Sequence, residues 1–234
     1  PDYLLIRRSI EGKVYKEKIR LRTYGRAQDD SEAFIELKKK LKDGTFTIDF
    51  CDDSLHTNGN LSICGGTYTL STGDDGMHAD GADQVYGGEI TIKTCYEGIK
   101  GQNMEISGGT IDITASDDGN GALDYNGTAT ITGGTLVAAG MSGMEQNFGS
   151  DSTQGKLMMN LTDNQSGKIT LEDANGNTLV SYTPMREYNS VVISCAELSD
   201  GSTYTIHTGE NSREVTMEGM VYTDGEVTNA QGKG

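Results

Sequence analysis

The stretch "GTYTLSTGDDGMHADGADQVY" at residues 66–86 decides the fold, because it is one copy of a unit that recurs. Upstream, "GTFTIDFCDDSLHTNGNLSIC" starts at Gly44. Downstream, "GEITIKTCYEGIKGQNMEIS" starts at Gly88, "GTIDITASDDGNGALDYNGTATIT" at Gly109 and "GTLVAAGMSGMEQN" at Gly134. The starts lie 22, 22, 21 and 25 residues apart. A period of this length marks a solenoid, in which each repeat buries its apolar face only by stacking on its neighbours. In each copy Thr, Ile, Leu and Tyr alternate, a Gly or Asp-Asp corner follows, and a short strand such as "NLSI" or "NMEIS" closes the unit. The alternation in "TFTIDF" and "EITIKT" does not fit a 3.6-residue helical period. Strand, corner, strand and Gly-Gly corner make one coil of a right-handed parallel β-helix, an all-β fold whose coils stack about 4.8 Å apart.

Composition agrees with this reading. The 234 residues include 32 Gly, only 2 Pro and no Trp, so turns are built on Gly, Asn and Asp. The net charge of −16 conceals a division. Residues 1–43 carry 12 Lys and Arg against 8 Asp and Glu, net +4, which leaves 7 against 27, net −20, for the rest. The acidic part repels nucleic acid and anionic lipid, which makes cations its natural partners. No apolar run is long enough to span a membrane and no basic-then-apolar leader is visible. The sequence opens on "PDYLLIRRS" without a methionine, and an upstream export signal or domain is expected. Oligomeric state is left open.

Stacking turns the paired acids into ladders. One runs through Asp52 and Asp53, Asp74 and Asp75, Tyr96 and Glu97, then Asp117 and Asp118; Asn58 and Asp80 form a second, which Asp124 extends. Carboxylates held a few ångströms apart repel unless protonated or bridged. Ca2+ bridges them well, because it takes six to eight oxygens in a tolerant geometry. A single Asp-Asp-Gly reads equally as turn chemistry on a solvated edge. Recurrence in successive coils favours at least one bound calcium.

"TGDDGMHADG", "CYEGIKGQNMEISGGTIDITASDDG" and the downstream "GSDSTQGKLMMNL", "VSYTP" and "VVISCAELSDGSTYTIHTG" resemble the clostridial-type carbohydrate-binding β-helix proteins over residues 44 to about 225. The resemblance implies a polysaccharide-lyase-like β-helix, extracellular or displayed at a bacterial surface. It further implies binding of calcium and of acidic, uronate-containing polysaccharides such as polygalacturonate. By that resemblance Asp74, Asp75, Asp80, Glu97, Asp117 and Asp118 are the calcium-associated positions, with Asp52 and Asp53 continuing the ladder. Lys100 stands where the family commonly places an acid, and the fourth corner, "DDGNGALDYNG", is longer than the family's usual turn.

A uronate lyase needs a base beside the substrate carboxylate. Between residues 44 and 150 the only basic side chains are Lys93 and Lys100, with His56 and His78, and there is no Arg. Lys100 reads as a salt-bridge partner of Glu97. Non-catalytic binding is therefore the preferred reading, with a lyase and a purely structural surface spacer as alternatives. Tyr96 and Tyr125, with Tyr68 and Tyr86, offer rings for sugar stacking or for ladder packing. Tyr96, Lys100 and Tyr125 are the candidate ligand contacts. Cys51 and Cys95, two coils and about 9.6 Å apart by strand spacing, are beyond disulfide reach. With Cys64 they read as small ladder fillers.

Beyond residue 150 the repeat fades into alternating strands separated by Gly, Asn and Asp, with "ANGN" a hairpin signal. Residues 151–234 are expected to form an antiparallel cap over the solenoid's end. At the other end, "VYKEKIRLRTYG" puts Lys16, Lys18, Arg20 and Arg22 on one face of a strand, and "AFIELKKKLK" puts Glu36, Lys38 and Lys40 on one face of a second. Such rows of cations suit a polyanion. "PDYLLIRRSIEGKVYKEKIRLRTYG" with "DDSEAFIELKKK" resembles the middle of a VTC-type polyphosphate polymerase domain over residues 1 to about 42. The resemblance implies a triphosphate-tunnel fold using ATP and a divalent metal. Without the remaining tunnel strands, Lys16, Lys18, Arg20, Arg22, Lys38 and Lys40 read as a vestigial polyphosphate site on a short hairpin.

Overall fold

The computed structural model describes residues 45–116 and 121–224, together with the backbone of two strands at 15–22 and 34–41; at 50 and 51 only the backbone is described. The chain divides into two compact units, Pro1–Thr45 and Phe46–Gly234. In the first, β1 (Tyr15–Arg22) and β2 (Phe34–Leu41) pair antiparallel, with Lys16 opposite Lys40 and Lys18 opposite Lys38. The side chains of Lys16, Lys18, Arg20, Arg22, Lys38 and Lys40 lie outside the described residues.

The second unit opens with the strands β3 (Thr45–Cys51), β4 (Leu55–Thr57), β5 (Leu61–Ile63), β6 (Thr67–Thr72), β7 (Met77–Val85), β8 (Glu89–Thr94), β9 (Ile99–Thr114), β10 (Leu123–Tyr125) and β11 (Ala129–Gly140). β4 and β5 pair parallel with β7, β7 with β9, β6 with β8, β8 with β9, and β9 with β10 and β11. This is a parallel β-helix of about four turns. Thr67 pairs with Glu89, Glu89 with Thr110 and Thr110 with Thr135, each one residue after a repeat-starting glycine. The sequence period is thus the physical coil.

Alternation sends every second side chain inward, and equivalent positions stack into apolar columns. Leu70, Ile92, Ile113 and Ala138 form one, and Ile63, Val85, Ile106 and Ile131 another, all at most 3 % exposed. Burying each large aliphatic side chain contributes roughly 1.5–3 kcal/mol, so the columns hold the coils together. The corner glycines Gly66, Gly88, Gly109 and Gly134 all adopt positive φ, between 90° and 106°. A Cβ on Gly109 would meet the Gly88 carbonyl oxygen at 2.8 Å as well as strain the backbone. Gly109→Ala is accordingly expected to cost about 2 kcal/mol in denaturant unfolding, and an unchanged midpoint would refute the corner's role.

The parallel stack ends at β11. There β15 (Tyr188–Ser194) pairs antiparallel, followed in the sheet by β12 (Lys156–Gln165) and β18 (Val221–Asp224). A separate antiparallel sheet comprises β13 (Ile169–Asp173), β14 (Thr178–Tyr182), β16 (Thr203–Thr208) and β17 (Asn211–Thr216), with "ANGN" turning β13 into β14. These strands supply the expected antiparallel cap and enclose a second core around Leu157, Ile169, Tyr188, Ile193 and Ile206. Among the described residues no helix is long and apolar enough to cross a membrane.

Candidate functional site

Each of the first three coils carries an acid at its corner and a basic side chain three residues later: Asp53 and His56, Asp75 and His78, Glu97 and Lys100. Register stacks His56 on His78, His78 on Lys100 and Lys100 on Asp124. Backbone hydrogen bonds from Asp74 N to Asp52 O and from Tyr96 N to Asp74 O stack the corners beside them. The result is one polar face running up the solenoid. Asp124 thus belongs to the His78–Lys100 rung and not above Asp80, whose Oδ2 instead accepts from Asn58 Nδ2 at 3.3 Å.

Part of the charge on this face is compensated within the protein. Lys100 Nζ lies 2.7 Å from Glu97 Oε2 and 3.3 Å from Asp75 Oδ2, both carboxylates being nearly inaccessible. Burial opposes the ammonium charge, yet Glu97 and Asp75 outweigh it and hold the Lys100 pKa above the usual lysine range. Burial pushes the Asp75 and Glu97 carboxyls up from their ordinary values despite the lysine. At the first corner, Asp53 Oδ2 faces His56 Nδ1 at 2.6 Å and His78 Nδ1 at 3.2 Å, while Oδ1 accepts the Asp75 N–H at 3.1 Å. Burial disfavours the Asp53 charge, but these hydrogen bonds hold its pKa below the ordinary value.

For calcium, the oxygens that converge are those of Asp53, Asp74 and Asp75, each offering one atom within 4.8 Å of the others. Their chemistry fits a hard cation. Between Asp75 and Glu97, by contrast, Lys100 already supplies the positive charge. Asp52 is exposed and contributes its carbonyl, which accepts the Asp74 N–H and the Thr72 hydroxyl. Asp117 and Asp118 lie outside the described residues. On either side of them the register changes: Ser116 N donates to Tyr96 O, whereas Leu123 pairs with Ile99, so the offset between coils three and four grows from 20 to 24.

Of the aromatic residues, Tyr96 (38 % exposed) and Tyr86 (50 %) are open to solvent. Tyr125 packs against the core and its hydroxyl donates to Asn147 O at 2.6 Å. Tyr68 stacks on Phe46 with ring centroids 4.9 Å apart. Cys95 is a buried free thiol whose pKa burial pushes up to about 12, in keeping with a filler position. What sequence reasoning missed was the convergence of both imidazoles on Asp53. Its signal was present as the repeated acid-x-x-base spacing.

Comparison with known proteins adds the family context. Residues 40–146 match the family described as carbohydrate-binding domain-containing protein, and residues 1–50 match the VTC domain. The first match covers the β-helix and stops before the antiparallel strands, short of residue 225, to which the sequence resemblance extends. No curated protein and no solved structure matches the chain.

Proposed function

We propose that the β-helix binds an acidic polysaccharide along the stacked polar face without cleaving it, with Ca2+ at Asp53, Asp74 and Asp75 bridging protein and sugar carboxylates. The observation that carries this reading is the one-per-coil recurrence of ionic side chains. It offers a repeating polymer a repeating surface, on a segment that matches a carbohydrate-binding family. Lys100 contributes a cation to the same face, and the exposed ring of Tyr96 lies beside Glu97 as a stacking surface.

The non-catalytic part of the proposal rests on Lys100. A general base works best with a pKa near the operating pH, and a lysine held protonated by two buried carboxylates is the opposite. An extracellular or cell-surface location is part of the same proposal, because that is where such polymers are met.

Calorimetric titration of polygalacturonate into chelator-stripped protein, with and without added Ca2+, tests it. Saturable binding only with calcium is expected, with a neutral glucan giving none and no unsaturated uronate forming. Equal binding with and without calcium would remove the bridging ion, and no binding in either condition would remove the polysaccharide.

A further inference from the structure

We infer that the first two coils form a site for a borderline divalent transition ion of the zinc class, held by Asp53 Oδ2, His56 Nδ1 and His78 Nδ1. One ligand atom from each of these residues lies within 4.8 Å of the others, and Asp53 Oδ2 is 2.6 Å and 3.2 Å from the two Nδ1 atoms. Tetrahedral ligands at the usual zinc distances lie about 3.3 Å apart, so small side-chain rotations that open the His56 contact accommodate the ion. Two of the three donors are imidazole nitrogens, which suit zinc, copper or nickel and not calcium.

Three further features point to a cation here. Asp75, only 2 % exposed, has an Oδ1 with no hydrogen-bond partner, and its Oδ2 lies 3.5 Å from His78 Nδ1, adding negative charge behind the site. The Asp75 N–H fixes Asp53 Oδ1, which leaves Oδ2 as the shared donor. On the outer side, His78 Nε2 is 3.9 Å from Asp80 Oδ1, and Asp80 is in turn held by Asn58. A ligating imidazole whose second nitrogen faces a carboxylate is the common outer-shell arrangement around metals. A neutral imidazole ligates through Nδ1 in the tautomer that carries its proton on Nε2, the nitrogen that in His78 faces Asp80. With three protein donors and His56 at the surface, the fourth position is open to water or a sugar oxygen. The ion shares Asp53 with the proposed calcium and therefore competes with it.

The test uses the full chain, made without a histidine tag and stripped with chelator, titrated calorimetrically with Zn2+ and, for its visible absorption, with Co2+. One saturable equivalent is expected, with a tetrahedral Co2+ spectrum and no displacement by about a hundredfold excess of Ca2+. His56→Asn and His78→Asn should each weaken binding by about tenfold or more. His207→Asn, which removes the remaining histidine, should leave it unchanged. On the wild-type protein, imidazole nitrogen resonances of two histidines should shift together while the third stays put. That readout does not depend on how the variants fold. Binding that survives the double His56→Asn, His78→Asn variant, binding lost in His207→Asn, or no saturable binding would overturn the site. No sugar enters the assay, so its failure leaves the polysaccharide reading standing.

Discussion

Asp83→Asn is expected to remove the largest single share of the pH dependence of stability between about pH 4 and pH 7, ahead of Asp112, whose pKa burial raises to about 6, and Asp83→Leu to stabilise the protein above pH 7 by on the order of 4 kcal/mol. Asp83 is wholly buried, and neither carboxylate oxygen has a hydrogen-bond partner. Its column in the solenoid interior otherwise holds Leu61, Met104 and Ala129. Burial raises its pKa from 3.8 to about 7, against a weaker opposing effect of the Ala79 backbone. The sign follows directly. Below the unfolded pKa the group is neutral in both states and costs little. As pH rises, the unfolded chain releases its proton first, so the folded state loses ground until the folded pKa is passed, and above that the penalty is complete. Urea unfolding of wild type and both variants at pH 4, 6 and 8 measures this. A wild-type stability that rises steadily across that range, or an Asp83→Leu variant no more stable than wild type at pH 8, would show that the carboxylate is satisfied.

The difference between Asp83 and the corner acids shows what sequence can and cannot reveal. The coil period was legible because the repeat-starting glycines recur where backbone meets backbone; a Cβ on Gly88 or Gly109 would strike the coil before it. Gly is needed there for a reason that composition and spacing both expose. Within "ADGADQVY" the acids Asp80 and Asp83 look alike in the sequence. Strand parity separates them: Met77, Ala79, Asp83 and Val85 are buried while Asp80 is exposed, but Gly81 and the buried Ala82 interrupt the alternation that would announce it. With two small residues between them, the apolar-polar contrast that fixes which face of a strand is buried is too weak to read from residue types alone. Lys156 repeats the lesson in the antiparallel region. It opens "KLMMNL" as an ordinary strand flank, yet it is fully buried, its Nζ has no partner, and burial lowers its pKa.

The ionic face was half legible. Paired aspartates on a 22-residue period announced a column of negative charge, and calcium is the expected remedy when only the acids are counted. Counting the bases at the same spacing changes the balance. His56, His78 and Lys100 each follow an acid by three residues and share one rung position, so this chain supplies part of its own counter-charge. The fourth coil breaks the pattern through its longer corner. There Asp124 occupies the basic position and Gly121 stands 24 residues after Glu97, the offset that Leu123 and Ile99 set.

Lys100 is therefore the residue whose loss should be most informative. Lys100→Ala removes the ammonium 2.7 Å from Glu97 and 3.3 Å from Asp75 while both carboxyls remain buried. Breaking a buried ion pair on one side leaves an uncompensated charge and costs 3–5 kcal/mol; with Lys100 itself a third exposed, about 3 kcal/mol is expected at pH 8. The wild-type contribution is present while the lysine is charged and the two carboxyls are ionised; it is lost as pH rises through the raised lysine pKa and fades as pH falls through the raised carboxyl pKa values. In the variant the deficit should shrink on acidification, because Asp75 and Glu97 already hold protons more tightly than ordinary carboxyls and take them up further once the lysine is gone. Millimolar Ca2+ should also raise the melting temperature of Lys100→Ala by several degrees more than that of wild type, since a divalent ion can occupy the cleared space between the two carboxylates. Melting curves at pH 5 and pH 8, with calcium and with chelator, decide the matter. A deficit that stays the same on acidification would mean the lysine stabilises by packing its aliphatic stem. Calcium that stabilises both proteins equally would place the ion at the first corner alone, where Asp53, Asp74 and Asp75 converge without a lysine between them.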